Sequence, residues 1–91
     1  MKFTFSKPYT FEGQEYTEID CDLEGLTGKD VSAAKRDWSS QGNFSAVITA
    51  DLEFCSYVAA KAAKLPIEFF EGLPAKDYCR ISTAVSNFLL T

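Results

Sequence analysis

Cys21, Cys55 and Cys79 are the strongest nucleophiles of this chain, and thirteen carboxylates are its most plentiful acids and bases; there is no histidine. Without histidine, the commonest general base and the Ser-His and Cys-His nucleophile pairs are missing. The cysteines are odd in number, widely separated and form no C-x-x-C pair, which is not how zinc is held. They read as small buried hydrophobes in a reducing compartment. Glu12, Glu15, Glu18, Asp20, Asp22 and Glu24 are dense but fall mostly on alternate positions of one run. That pattern makes a solvated, charged strand face that discourages edge pairing, rather than an acid/base pair. Asp20 and Asp22 could ligate calcium weakly, yet the EF-hand loop pattern is absent. Gly25 and Gly28, even with Lys29, lack the spacing of a phosphate loop. No catalytic residue, metal or cofactor is expected, so the chain reads as a non-enzyme that works by contact.

Composition narrows the partners. At 46% hydrophobic and 14% aromatic, the 91 residues can build a modest single-domain core and are not disordered by default. A formal net charge of −4, with only Lys61, Lys64 and Arg80 as a thin basic surface, argues against nucleic acid. No apolar run reaches the ~20 residues needed to span a bilayer. Met1 to Phe5 alternates like a strand and lacks a signal-peptide core, so a cytoplasmic location is expected.

The elements that position these residues follow from periodicity and punctuation. Phe3, Phe5, Tyr9 and Phe11 alternate with polar residues, as do Ile19, Cys21 and Leu23, predicting a hairpin over 1–24 around Glu12-Gly13. A two-residue loop would set Phe5 against Asp20. A three-residue loop closed by Gly13 in the left-handed region sets Phe5 against Ile19 and Phe3 against Cys21, and is expected instead. Lys7-Pro8 suggests an edge or bulge. Thr27 and Asp30 resemble a capping box opening a helix over 27–41, with Val31, Ala34 and Trp38 inward. A second helix is expected over 46–64, with an apolar face about half a circumference wide. Pro66 and Pro74 suit helix starts, giving a short helix over 66–71 and a longer one over 74–90, with Gly72 between them at φ > 0. In the last, Tyr78, Ile81, Val85, Phe88 and Leu89 form the apolar stripe. The fold class is α+β: an N-terminal β-hairpin packed on three to four helices.

Four aromatics are candidates for a protein interface. Trp38 is read first as a core plug and second as an anchor. Tyr57 stands on the polar side of its helix near Glu53, Lys61 and Lys64, and exposed tyrosine suits an interface. Phe69 and Phe70 are adjacent on one helical turn, so one is expected inside and the other in a groove or against a partner.

Several stretches, in order, carry a family resemblance: Lys7-Pro8; Glu12-Gly13-Gln14-Glu15-Tyr16; Leu26-Thr27-Gly28-Lys29-Asp30-Val31; Tyr57-Val58-Ala59-Ala60-Lys61-Ala62-Ala63 before Leu65-Pro66; Gly72-Leu73-Pro74-Ala75-Lys76-Asp77; and Val85-Ser86-Asn87-Phe88-Leu89-Leu90. Together they resemble the small tail assembly chaperones of long-tailed bacteriophages and prophages, over nearly the whole chain. The polar Ser39–Asn43 loop and Cys79, on a helix face usually aliphatic, depart from the pattern. The resemblance implies a non-enzymatic protein of the bacterial host cytoplasm, absent from the mature virion. Its implied partner is the tape measure protein, which it keeps soluble, with the tail tube protein as a second; exposed apolar surface on such a chain would also favour a homo-oligomer. It also implies that a longer, frameshifted product can accompany a short form such as this. The alternative reading is a small acidic regulator or inhibitor that binds a host or phage protein through the Glu12–Glu24 carboxylates.

Overall fold

A computed structural model describes all 91 residues. Strands β1 (Lys2–Phe11) and β2 (Gln14–Asp20) form an antiparallel hairpin, followed by helices α1 (Gly28–Ser39), α2 (Leu52–Ala63), α3 (Ile67–Glu71) and α4 (Ala75–Leu90). The α+β class is therefore as the sequence indicates. One cluster of eighteen buried apolar residues draws on all six elements and so makes a single core.

The hairpin corrects the expected loop. Phe11 pairs with Gln14, so Glu12 (φ 50) and Gly13 (φ 77) form a two-residue turn with both residues in the left-handed region. The mismatch this creates between core and solvent faces is removed further along. Between the Thr4–Glu18 and Tyr9–Tyr16 pairs, β1 has four residues, Phe5 to Pro8, where β2 has only Thr17. Three extra residues, an odd number, turn the first half of β1 over, and Phe3 pairs with Ile19. Phe3, Phe5, Ile19 and Cys21 are all buried as expected, though through a different register. Pro8 has no N–H to offer a ladder and sits in this bulge, as Lys7-Pro8 suggested.

α1 opens on the full capping box: the Asp30 N–H donates to Thr27 Oγ1 at 3.4 Å and the Thr27 N–H to Asp30 Oδ2 at 2.9 Å. Ala34 and Trp38 are buried. α2 starts six residues later than expected, at Leu52. Asp51 takes an extended conformation and caps it, accepting from the Phe54 N–H at 3.0 Å. The preceding Ile48–Ala50 forms one 3-10 turn, and the Thr49 carbonyl accepts from Ser86 Oγ of α4 at 2.7 Å. β-Branched Ile48 and Thr49, followed by a capping aspartate, favour this break over continued helix. α2 packs against α1, α3 and α4 and is the central element.

The positive φ near the prolines falls elsewhere than expected. Gly72 has φ −89, whereas Lys64 (φ 58) is the left-handed cap of α2. Glycine serves a different end at position 72: a Cβ there would lie 2.5 Å from the Tyr9 hydroxyl oxygen, which donates to the Phe69 carbonyl at 2.8 Å. In α4, Ile81 and Val85 are buried while Tyr78, Phe88 and Leu89 are half-buried.

Candidate protein-interaction surface

α3 is held between the hairpin and α2, and this decides where its aromatics go. Phe69 is fully buried at the centre of an aromatic cluster, with ring centroids 4.9 Å from Tyr16, 5.0 Å from Tyr9, 5.2 Å from Phe11 and 5.3 Å from Phe70. Phe70 is 1% exposed. The expectation that one of the pair would face outwards is corrected: a single turn covered on two sides buries both. Trp38 is also interior, edge-to-face with Phe54 at 5.8 Å. Of the four candidates, only Tyr57 keeps substantial exposure, and it is half-buried.

Apolar surface is instead concentrated in side chains that periodicity had assigned inward or passed over. Phe44 is 90% exposed, Val47 60%, Leu90 63% and Leu52 41%. Three belong to the segment entering α2. The Ser86–Thr49 hydrogen bond ties that segment to α4, and Leu90 lies one turn beyond Ser86 on the same helix face. A helix from 46 would carry Val47 on its broad apolar face, and shortening that helix releases it. The sequence signal was Ile48-Thr49 followed by the cap Asp51. Phe44, following the polar Ser39–Asn43 loop, belongs to no apolar period.

A second feature is a groove of about 330 Å³ between the α3–α4 junction and α4, lined by Glu71, Leu73, Ala75, Tyr78 and Cys79. The Tyr78 hydroxyl donates to Ser56 Oγ on α2 at 3.3 Å. Tyr57 lies beside α1 and α3: burial, and then the carboxylates of Glu53, Glu71, Asp37 and Glu68, push its phenol up. Lys61, one helical turn after Tyr57, is engaged by Asp37 at 3.0 Å.

The reactive inventory divides by burial. Burial pushes the Cys21 and Cys55 thiols up to about 11, with Asp20 and Asp51 respectively adding to it, so both are protonated and inert near neutrality. Cys79 is exposed, correcting the expectation that all three thiols are buried. The β2 carboxylates face solvent, with Glu18 paired to Lys2 at 3.6 Å and Asp20 to the N-terminal ammonium at 3.2 Å. No three His, Cys, Asp or Glu side chains gather as a metal site, and no helix is long and apolar enough to cross a membrane.

This architecture offers contact surfaces. The family model described as "Phage tail assembly chaperone proteins, E, or 41 or 14" matches residues 2–90. The chain belongs to this family. The chaperone has no significant match among curated proteins or solved structures. Membership makes other proteins of tail assembly its partners, and the hairpin-and-four-helix fold is the scaffold that presents its surface to them.

Proposed function

We propose that this chaperone binds the phage tape measure protein and covers its apolar helical segments until tail tube subunits assemble around it. The observation that carries the reading is the exposed apolar set Phe44, Val47, Leu52 and Leu90 at the junction of the α2 entry segment and the end of α4. A tape measure protein is a long amphipathic helical chain, and such stripes dock on apolar surface by helix-in-groove packing. Contiguous apolar patches beyond roughly a few hundred Å² usually mark an interaction site, and they also favour self-association at high concentration. Half-buried Tyr57, on α2 beside α1 and α3, offers a separate contact, while Trp38, Phe69 and Phe70 support the scaffold from the interior. Action in the host cytoplasm, a contact with the tail tube protein and absence from the mature virion complete the reading.

Co-expression tests it. The tape measure protein should remain soluble with the wild-type chaperone and aggregate with Phe44→Glu/Val47→Glu. Both positions are exposed, so the variant should keep its native circular dichroism. A tape measure protein equally soluble with and without the chaperone would overturn the proposal and leave the acidic inhibitor reading standing.

A further inference from the structure

The groove beside Cys79 differs in character from the Phe44–Leu90 surface. Its lining is apolar at Leu73, Ala75, Tyr78 and Cys79, with Glu71 as the one charged residue. Glu53 and Glu68 stand close enough to Tyr57 to act on it together with Glu71, and Glu53 acts on Tyr78 as well. Glu53 is the carboxylate common to both tyrosines, and Asp51 also acts on Tyr78. Asp37 is neutralised by Lys61, but Glu53, Glu68 and Glu71 form no ion pair. The result is an apolar groove whose one charged lining residue, Glu71, is unpaired, with exposed Glu68 one turn earlier on α3 and exposed Glu53 beside Tyr78 adding to the negative charge around it.

We propose that this groove docks an amphipathic helix of the client whose apolar stripe is bordered by Lys or Arg. The inference rests on the tape measure reading above and specifies which client segment the chaperone selects. Charge complementarity chooses the occupant. The trough alone would accept any apolar stripe, but an acidic-flanked helix would bring like charges against Glu53, Glu68 and Glu71, which is strongly unfavourable at a docked interface. Tyr57 and Tyr78 suit such a contact, because their rings can cover aliphatic side chains and the stems of lysines.

Cys79 provides the readout, being the exposed thiol and a groove-lining residue, whereas Cys21 and Cys55 are buried. Native-state modification by N-ethylmaleimide, located by peptide mass, is followed in the full chain. It is measured alone, with the tape measure protein, and with two designed helical peptides sharing one leucine stripe, one flanked by Lys and one by Glu. The tape measure protein and the Lys-flanked peptide should slow Cys79 modification, and added salt should restore it. The Glu-flanked peptide should bind at least roughly tenfold more weakly. Glu53→Gln/Glu71→Gln, which leaves the fold intact by circular dichroism, should abolish that discrimination. Equal protection by both peptides would overturn the proposal. A tape measure complex seen by size exclusion, with Cys79 still modified at the free rate, would overturn it while leaving the tape measure reading in place. Absence of any such complex would remove both.

Discussion

Asp77 and Ser6, 71 residues apart, join the C-terminal helix to the bulge of the first strand. The Asp77 carboxylate, 1% exposed, accepts from the Ser6 N–H at 3.3 and 3.4 Å and from Ser6 Oγ at 3.0 Å. Arg80 donates to Asp77 at 3.0 Å and to the Thr4 carbonyl. The bulge removes Ser6 from the ladder, and the buried Asp77 carboxylate is costly without donors. Asp77 supplies the missing acceptor, so the irregularity that restores the core face of β1 is completed by α4.

Replacing Asp77 should therefore loosen the hairpin from the helices. Asp77→Ala is expected to destabilise by about 1–3 kcal/mol, the cost of leaving part-buried donors unsatisfied. Asp77→Asn, which retains an acceptor, should lose less. Urea unfolding followed by circular dichroism measures both, and equal stability of Asp77→Ala and wild type would refute the role.

Gly72→Ala is expected to cost about 1 kcal/mol, because the added Cβ displaces the Tyr9 hydroxyl from the Phe69 carbonyl. The backbone at φ −89 tolerates alanine, so the penalty belongs to that contact. In a Tyr9→Phe background it should largely vanish. Additivity in the double-mutant cycle would instead place the cost in the backbone.

Two phenylalanines should differ sharply. Phe69→Ala empties the middle of the aromatic cluster and should cost about 3–5 kcal/mol, a large share of the stability of so small a domain. Phe88 is half-buried, and Phe88→Ala should cost less than about 3 kcal/mol. Chemical denaturation of the two variants tests the order, and a costlier Phe88→Ala would contradict this packing.

Stability should fall at alkaline pH. The Cys21 and Cys55 thiols are raised from 9.0 to about 11 in the folded chain, so the unfolded chain loses those protons first. Their contribution is complete below pH 9.0 and is lost as pH rises through about 11. Tyr9, Tyr57 and Tyr78, raised from 10.0, steepen the upper part of the decline. A Cys21→Ala/Cys55→Ala variant should start from lower stability but show a flatter loss of Tm from pH 9.0 upwards. An unchanged slope would mean that the thiols do not drive it.

Local chemistry was legible in the sequence alone. Thr27 and Asp30 cap a helix wherever a helix follows, Pro66 and Pro74 place helix starts through their own φ and missing N–H, and Gly13 supplies a turn conformation. Ile81 and Val85 face inward because helical spacing puts them on one side. Each of these depends on a few neighbouring residues. Tertiary structure decided what depends on distant partners. The bulge that reconciles a two-residue turn with a buried Phe5 needs Asp77 to satisfy it. Phe69 and Phe70 both become interior only because α3 has the hairpin on one side and α2 on the other. Gly72 is required by the tyrosine hydroxyl from β1, and Val47 is exposed because the Thr49 carbonyl binds Ser86 and α2 waits for its cap at Asp51. Periodicity reports which residues share a face of one element. It carries no information on which face another element will cover, and that is why the interior aromatics and the exposed apolar surface exchanged places.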